Sequence, residues 1–324
     1  MFDVIIVGAG PAGLSAALIL GRCYRRVLIC DAGRPRNAAS RSLHGYLTRD
    51  GIHPAELLKI GREQLRPYTT VELRNDQVTT ARKIARGFEI TTESDELFRA
   101  RKLLLATGVV DHLPDIQGLQ PLYGRSVFHC PYCDGWELKR RPIAIYGRGS
   151  HGAGLAFELT GWSDDLVLCS DGPAELSPED REQLDLLSIS VREERISHLE
   201  GTDGQLERVV FANGETLSRS GLFFSSGQHQ GCDLAERLGC EITERGAVRT
   251  GEYETTSVPG LYVAGDASRA VQLAIVAAAE GAEAAFAINK TLIKEDLERV
   301  RSDNAETQAV PPNFRRNEKT DQPP

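Results

Sequence analysis

The sequence predicts an α/β protein with two Rossmann-like, three-layer domains, the second inserted in the first. Two observations predict this fold: a glycine-rich turn follows a short apolar run at 3–8, and a second turn follows another such run at 143–146. A strand, a glycine-rich turn and a helix in this order are typical of a nucleotide-binding unit. At 324 residues the chain is long enough for two such domains.

The first turn has the features of a dinucleotide-binding site. The run DVIIVG predicts a strand, LSAALILGR predicts a helix, and RRVLIC predicts a second strand that ends at Asp31. Glycines permit the tight bend, the approach of a pyrophosphate and the packing of helix on strand, and Asp31 can accept a hydrogen bond from a ribose hydroxyl of FAD or NAD. The candidate contacts in the turn are Gly8, Gly10, Pro11, Ala12 and Gly13.

The second turn, GRGSHG at 147–152, is less suited to a cofactor. Arg148 is bulky where such a turn needs small residues, and the strand DLVLC is followed by Ser170-Asp171-Gly172 without the arginine that would meet the 2′-phosphate of NADPH. Asp171 can accept from an NADH ribose. NADH, NADPH and no nicotinamide binding therefore all stay open.

Two later segments also predict cofactor contacts. LLLATG at 103–108 reads as a buried strand ending in a small-residue turn that contains Thr107 and Gly108. SVPGLYVAGDAS at 257–268 reads as a turn and strand followed by Gly265 and Asp266, with Asp266 expected to begin the next helix. Asp266 either hydrogen-bonds a ribityl hydroxyl or serves only as the N-cap of that helix.

The segment HCPYCDGWE at 129–137 places Cys130 and Cys133 with two residues between them. Such a pair forms half of a zinc site, a structural bridge or a redox dithiol. Zinc would need two more ligands, and no second CxxC or HxxxH exists in the chain, so no metal is expected. The other five cysteines occur singly, which is typical of a cytoplasmic protein and favours the redox dithiol.

Composition excludes two classes of partner. The formal net charge is −8 and no clustered basic face is evident, which argues against nucleic acid. No apolar run reaches the roughly 18 residues that a membrane span needs. Tyr132 and Trp136, beside the cysteines, pack either in the core or against a cofactor or substrate.

In order and spacing, the two glycine motifs, ATG at 106–108, CPYCDG at 130–135 and Gly265-Asp266 resemble the low-molecular-weight thioredoxin reductases, FAD flavoproteins of the pyridine nucleotide-disulfide oxidoreductases. The resemblance covers residues 1 to about 295. It implies an FAD-binding domain of 1–112 plus 245–295, an inserted NAD(P)-binding-like domain of 113–244 that carries the dithiol, and a homodimer.

The resemblance also implies roles for individual residues. Cys133 would face the flavin, Cys130 would exchange with an external thiol or disulfide, and Asp134 would shuttle the proton, while His129 either assists or is a structural neighbour. His44 is either a base or an ordinary hydrogen-bonded loop residue. The implied cofactor contacts outside the glycine turn are Arg36, Asn37, His44, Val78, Thr107, Gly108, Gly265, Asp266, Gln272 and Leu273.

The resemblance implies an FAD-dependent dithiol/disulfide oxidoreductase, and the departures from the family at Arg148 and at 169–173 indicate a donor other than NADPH. The alternatives are an oxygen-dependent dithiol oxidase, an ordinary NADPH-dependent thioredoxin reductase and a non-enzymatic flavin redox sensor. The expected partners are a small thiol or disulfide, a thioredoxin-like protein or a small electron-carrier protein. Residues 296–324 read as a tail that is disordered or forms a lid through Phe314.

Overall fold

The computed structural model describes residues 1–225, 227–269 and 271–309. Its elements confirm an α/β fold with two Rossmann-like units, the second placed within the first. Phe314 lies outside the described residues.

The N-terminal part of the chain builds most of the first sheet. Its strands β1, β2 and β3 are parallel, β6 pairs in parallel with β1, and the hairpin β4–β5 joins β6 in antiparallel register. The elements are β1 (Phe2–Val7), α1 (Pro11–Arg22), β2 (Val27–Cys30), α2 (Pro54–Leu65), β3 (Val71–Arg74), β4 (Val78–Ile84), β5 (Gly87–Thr92) and β6 (Leu97–Leu105).

The chain then passes through strand β7 (Val109–Asp111) into a second sheet. This sheet has the order β11-β10-β9-β15-β8 with parallel pairs, and β12, β13 and β14 form a separate antiparallel sheet. The elements are β8 (Val127–Phe128), α3 (Pro131–Asp134), β9 (Ile143–Tyr146), α4 (Gly149–Leu159), β10 (Leu166–Cys169), α5 (Pro178–Leu186), β11 (Ser190–Arg192), β12 (Ile196–Thr202), β13 (Gln205–Phe211), β14 (Thr216–Ser218) and β15 (Gly221–Phe224).

Strand β16 (Gln228–Gln230) returns the chain and pairs in antiparallel register with β7, so the two strands form a ribbon between the sheets. After α6 (Leu234–Arg237), strand β17 (Leu261–Val263) pairs in parallel with β6 and completes the seven-stranded first sheet. Short 3₁₀ turns occupy Gln120–Leu122, Trp136–Leu138 and Glu252–Glu254. The second unit is therefore inserted between β6 and β17.

Helix α7 (Ala274–Ala309) follows β17 and differs from two expectations. Asp266 does not begin it, because Asp266 lies in a turn at 266–268 and the first helical residue is Ala274. The tail predicted from 296 also does not begin there, since the helix continues to Ala309 through the charged sequence EDLERVRSD, which is compatible with a helix. Asp296 accepts ion pairs from Arg25 at 2.8 Å and from Arg101 at 2.7 Å, which hold this charged part of the helix against the first unit.

Apolar side chains fill the spaces between the layers. In the first unit one buried cluster joins the sheet to α1 and α7, and a second covers the opposite face of the sheet. Two further clusters cover the two faces of the second sheet. The turns at the carboxyl ends of β1 and β9 are thus fixed on packed scaffolds.

Candidate active site

The first glycine turn is built by close backbone packing. Gly8 has φ +103°, and a Cβ there would lie 2.3 Å from the Ala106 carbonyl oxygen. A Cβ on Gly13 would lie 1.9 Å from the Gly8 carbonyl oxygen. Only glycine fits at these positions. Gly13 therefore lies where helix α1 packs closely on strand β1, which is the role predicted for it.

Asp31 lies at the end of β2, directly beside this turn. The Ala9 amide donates to Asp31 Oδ1 at 3.1 Å, and Arg62 Nη2 on α2 lies 2.6 Å from Asp31 Oδ2. Among the described residues, the buried Arg62 Nε has no hydrogen-bond partner. Sequence reasoning missed Arg62, and its place on a helix that begins with Pro54 offers no local signal for this contact.

A cleft of about 840 Å³ runs from the first turn to the dithiol. It brings together eighteen of the twenty candidate site residues from both units, whereas Gly13 and Cys130 are not among its lining residues. Those that line it are Gly8, Gly10, Pro11, Ala12, Asp31, Arg36, Asn37, His44, Val78, Thr107, Gly108, His129, Cys133, Asp134, Gly265, Asp266, Gln272 and Leu273.

Cys130 and Cys133 form a disulfide across the short helix α3. Cys130 directly precedes the helix, and Cys133, within it, lines the cleft. Asp134 follows and lines the cleft too. Burial, with a contribution from Glu137, raises the pKa of Asp134 to about 7, so this carboxyl can hold or release a proton near neutral pH.

His129 precedes the dithiol but is directed toward other groups. Its Nδ1 lies 3.4 Å from the Tyr123 hydroxyl, and its Nε2 lies 3.9 Å from Asp111 Oδ2. Burial lowers its pKa, although Asp111 opposes the shift, and this favours the neutral imidazole. These contacts agree with a structural neighbour of the dithiol rather than a partner of its sulfur atoms.

His44 reaches the cleft from the loop between β2 and α2. Its Nδ1 lies 3.6 Å from Asp50 Oδ1 in the same loop, and its Nε2 lies 3.5 Å from Glu137 Oε1 in the second unit. The side chain therefore joins the loop to the segment that follows the dithiol. The open choice between a base and a hydrogen-bonded loop residue is not decided by these contacts.

Arg36 is the central cation of the cleft. It forms ion pairs with Asp111 at 2.5 Å and Asp266 at 2.8 Å, and donates to Gln272 Oε1 at 2.7 Å. Sequence reasoning named Arg36, Asp266 and Gln272 but missed Asp111, whose position two residues after a strand start carries no motif. The structure therefore joins candidate residues that are more than 200 positions apart in the chain.

The aromatic residues of the dithiol segment are not core residues, so the core interpretation was wrong. Tyr132 and Trp136 are each 66% exposed. Tyr132 packs edge-on against Trp162, with ring centroids 5.5 Å apart, and Lys139 Nζ lies 3.4 Å from the Trp136 ring centroid. Tyr132 in α3 and Trp136 in the following 3₁₀ turn therefore lie at the surface.

The second glycine turn is crossed by the side chain of Arg148. Arg148 Nε donates to the Ser170 carbonyl at 2.7 Å, and its Nη2 donates to the Asp171 carbonyl. Asp171 Oδ1 accepts from the Ile196 amide at 2.7 Å, and Arg195 Nη1 lies 3.6 Å from Oδ2. Sequence reasoning found no arginine here because Arg195 is 24 positions after Asp171.

The first turn and its cleft fit a dinucleotide such as FAD. A Cβ on Gly10 would meet no atom within 4 Å, so the backbone is open on that side. Gly10 is the N-cap residue of α1 and provides no side-chain cap, which leaves the helix amides available to a pyrophosphate. The cleft volume lies in the upper part of the roughly 300–1,000 Å³ typical of small-molecule sites.

The described residues contain neither a candidate metal-ion cluster nor a candidate membrane-spanning helix. In that part of the chain, no group of three or more histidine, cysteine, aspartate or glutamate side chains is arranged to hold a metal ion. None of the helices described combines the length and apolarity that crossing a bilayer requires.

Comparison with known proteins agrees with this geometry. The family model described as pyridine nucleotide-disulphide oxidoreductase matches residues 2–281. A probable thioredoxin reductase of Arthroderma benhamiae is 31% identical over 300 residues, covering 82% of this chain and 74% of that protein. The crystal structure of a putative thioredoxin reductase, TrxB, from Bacillus anthracis is 35% identical with a TM-score of 0.86, covering 91% of this chain and all of that one. The crystal structure of HlmI is 34% identical with a TM-score of 0.91, covering 95% and 98%.

Proposed function

Given that the chain belongs to the pyridine nucleotide-disulphide oxidoreductase family and is a thioredoxin reductase-like, FAD-dependent disulfide oxidoreductase, we propose that its electrons enter from a dithiol and not from NADPH. The observation that carries this proposal is the difference between the two glycine turns. Cys133 lines the cleft at the first turn, whereas Arg148 crosses the second.

Contacts at the second turn support a donor other than NADPH. The Arg148 guanidinium already donates to two carbonyl groups, and the Asp171 carboxylate already accepts from a backbone amide. A nicotinamide nucleotide would have to replace these contacts to bring its ribose to Asp171. Because a hydrogen bond lost without replacement costs about 1–3 kcal/mol, the existing contacts disfavour such binding.

Residues of the cleft would hold FAD. The α1 amides and Gly10 would face the pyrophosphate, Asp31 would accept from the adenosine ribose, and Asp266 would accept from the ribityl chain. When bound, FAD supplies a carrier that accepts or returns two electrons. The role of the protein is then to bring one sulfur to that carrier and to accept and return the protons that the thiols release.

The two cysteines would take separate parts in the electron transfer. One substrate thiolate attacks the Cys130 sulfur and breaks the Cys130–Cys133 bond, with Cys133 as the leaving thiolate. The second substrate sulfur then attacks the first and releases Cys130, so the substrate becomes a disulfide and Cys130 and Cys133 become thiols. With FAD bound, the Cys133 sulfur, which lines the cleft, would be the one placed to give up two electrons as the Cys130–Cys133 bond re-forms. Asp134 accepts a proton when a thiol ionises and returns it in the opposite direction.

In the proposed direction, molecular oxygen is the final acceptor. The overall reaction would convert one substrate dithiol and one O₂ to one disulfide and one hydrogen peroxide, with FAD as the carrier of the two electrons. In the opposite direction a small electron-carrier protein would supply the electrons. The many relatives named thioredoxin reductases make a thioredoxin-like protein the alternative partner to a small dithiol.

Anaerobic stopped-flow mixing tests the proposal. We expect a dithiol such as dithiothreitol to bleach the flavin absorbance, and NADPH and NADH to leave it unchanged on the same timescale. Cys133→Ser should abolish the bleaching because the sulfur that faces the cleft is lost. Cys23→Ser is the matched control, since Cys23 is an exposed free cysteine outside the cleft.

The outcomes separate the alternatives. Rapid bleaching by NADPH would refute the proposed donor and make the protein an ordinary NADPH-dependent thioredoxin reductase. Bleaching by a dithiol followed by peroxide formation in air would support the oxidase direction. Reduced thioredoxin and a small dithiol, compared at equal concentrations, then identify which partner class reacts faster.

We also expect a homodimer in the cytoplasm. Helix α7 exposes apolar side chains along its length, with Phe286, Leu297 and Val300 each more than half exposed. A stripe of this kind on a long helix fits a second copy of the chain in a symmetric contact. Light scattering should give twice the chain mass, and Leu297→Lys should lower it; a monomeric wild type would contradict the expectation.

A further inference from the structure

The carboxylate of Asp111 lies at the junction of the two units. Asp111 is the last residue of β7 and pairs with Gln228 of β16, on the ribbon through which the chain leaves the first unit and returns. Its side chain is only 8% exposed. No motif and no predicted role accounts for a buried acid at this position.

On the side of the first unit, Arg36 holds Asp111 with two bonds. Arg36 Nη2 lies 2.5 Å from Oδ1, and Arg36 Nε lies 2.8 Å from Oδ2. The same guanidinium reaches Asp266 and Gln272 in the cleft, so the position of Asp111 is tied to the cofactor-facing groups. Two-bond pairs between arginine and a carboxylate fix geometry as well as charge.

On the side of the second unit, Asp111 meets the segment that leads to the dithiol. The Tyr123 hydroxyl donates to Asp111 Oδ2 at 3.4 Å, and His129 Nε2 lies 3.9 Å from the same oxygen. Tyr123 and His129 also contact each other, and His129 is followed directly by Cys130. One carboxylate is therefore shared between the cofactor-facing loop and the start of the dithiol segment.

The carboxylate stays charged in this position. Burial alone would raise the pKa of Asp111, but the hydrogen bonds and the charge of Arg36, together with the Tyr123 hydroxyl, hold it below its usual value. Because the pair is shielded from water, its geometry is better defined than that of an exposed ion pair.

We propose that Asp111 is a positioning residue for electron transfer, which keeps Cys133 directed into the cleft by anchoring Tyr123 and His129 to Arg36. The inference rests on the proposed function, because the transfer between Cys133 and the cofactor is the step that it serves. Asp111 itself touches neither sulfur, so its effect is exerted through the orientation of the dithiol segment.

The first test compares Asp111→Asn with Glu89→Gln as a matched control. Glu89 is also a buried carboxylate held by arginine, in this case by Arg82 and Arg99, but it lies in the β4–β5 hairpin. We expect Asp111→Asn to slow anaerobic flavin reduction at saturating dithiol by about 100-fold, the loss typical of a misplacement of about 1 Å. FAD content and the dithiol concentration for half-maximal rate should remain near wild type.

Glu89→Gln should leave the saturating rate unchanged. Equal slowing in both variants, or a loss confined to FAD content, would overturn the proposal and make Asp111 a structural residue. Tyr123→Phe removes one hydroxyl without adding or removing charge, so it provides a milder variant if Asp111→Asn folds poorly. We expect it to slow the same step less than Asp111→Asn does.

A second readout does not depend on turnover. The holoprotein is reduced anaerobically with dithionite, and alkylation of Cys130 and Cys133 is followed by mass spectrometry. We expect Cys130 to react faster in the wild type because Cys133 lines the cleft, and the two rates to converge in Asp111→Asn. An unchanged ratio of the two alkylation rates would overturn the proposal. This readout needs no dithiol substrate, so it tests Asp111 even if dithiols do not reduce the flavin and the proposed function is wrong.

Discussion

The two glycine turns have similar sequences but opposite surroundings. At the first, the backbone beside Gly10 is open and the cleft leads to Cys133. At the second, Arg148 lies across the carbonyls at the end of β10, and a Cβ on Gly172 would lie 3.0 Å from its Nη2. A glycine motif therefore predicts the backbone turn, whereas the neighbouring side chains decide whether a nucleotide can approach it.

The acid at each turn shows the same difference. Asp31 accepts from the Ala9 amide and pairs with Arg62, and it lines the cleft. Asp171 accepts from the Ile196 amide and lies beside Arg195 and Arg148, and Arg148 also donates to two backbone carbonyls. An aspartate thus follows the second strand of each unit, but Asp31 lines the cofactor cleft whereas Asp171 holds the backbone at Ile196.

The largest effect is expected from Asp134→Asn, which tests whether the chemistry belongs to the first cleft. Loss of a positioned acid or base typically slows a reaction about 10²- to 10⁴-fold. Because burial and Glu137 raise the pKa of Asp134 to about 7, we expect wild-type flavin reduction by a dithiol to rise with pH through about 7 as the carboxylate forms. The variant should lose that rise, as measured by stopped-flow absorbance between pH 5.5 and 8.5 (about 1.5 units either side of the pKa).

Stability supplies the control for this experiment. The native Asp134 carboxyl keeps its proton up to about pH 7, whereas in the unfolded chain it loses the proton near 3.8, so the wild type loses stability between these values as pH rises. Asp134→Asn should not show this loss in thermal unfolding. Glu137→Gln should move the midpoint of the rate–pH curve to lower pH, since Glu137 contributes to the raised pKa of Asp134. If the rate–pH curve is unchanged in both variants, Asp134 is not the proton carrier.

An intermediate effect is expected from Gly10→Val, which closes the open turn. The Gly10 backbone has φ −74° and ψ −175°, which valine adopts readily, and the added side chain would project into open space beside the cleft. Overpacking typically costs about 1–3 kcal/mol, so the Kd for FAD should rise about 10- to 100-fold. Fluorescence titration of the FAD-depleted protein measures it.

The paired variant is Gly149→Val at the second turn. Gly149 has φ +54°, so the substitution is strained there, yet it lies outside the cleft. We expect a lower melting temperature with an unchanged Kd for FAD. Equal weakening of FAD binding by both variants would mean that the difference between the turns has no consequence for the cofactor.

The sequence was sufficient for the local parts of this architecture. Strand, turn and helix patterns predicted both nucleotide-type units, and eighteen of the twenty residues named from motifs or from the family resemblance line the cleft. Arg62, Asp111 and Arg195 were missed because each meets its partner across loops or strands that no local pattern describes. The sequence after 295 indicated only compatibility with a helix, because the partners of Asp296, Arg25 and Arg101, are distant in the chain.

The smallest effect is expected from Arg148→Ala, which opens the second turn. Removing the guanidinium frees the Ser170 and Asp171 carbonyls and the space beside Gly172. FAD content and dithiol-driven bleaching should stay within about twofold of wild type, as for substitutions of about 0.5 kcal/mol or less. Slow bleaching by NADH, absent in the wild type, should become measurable because Asp171 is then reachable by a ribose.

Arg181→Ala is the matched control, because Arg181 is an exposed arginine of the same unit whose ion pair with Glu193 spans 3.6 Å. It should change neither dithiol-driven nor NADH-driven bleaching. If Arg148→Ala gains no response to NADH, Arg148 is not the group that closes the turn. The barrier would then lie in the amide and arginine contacts that occupy Asp171, and Arg195→Ala in the Arg148→Ala background would be the variant that distinguishes them.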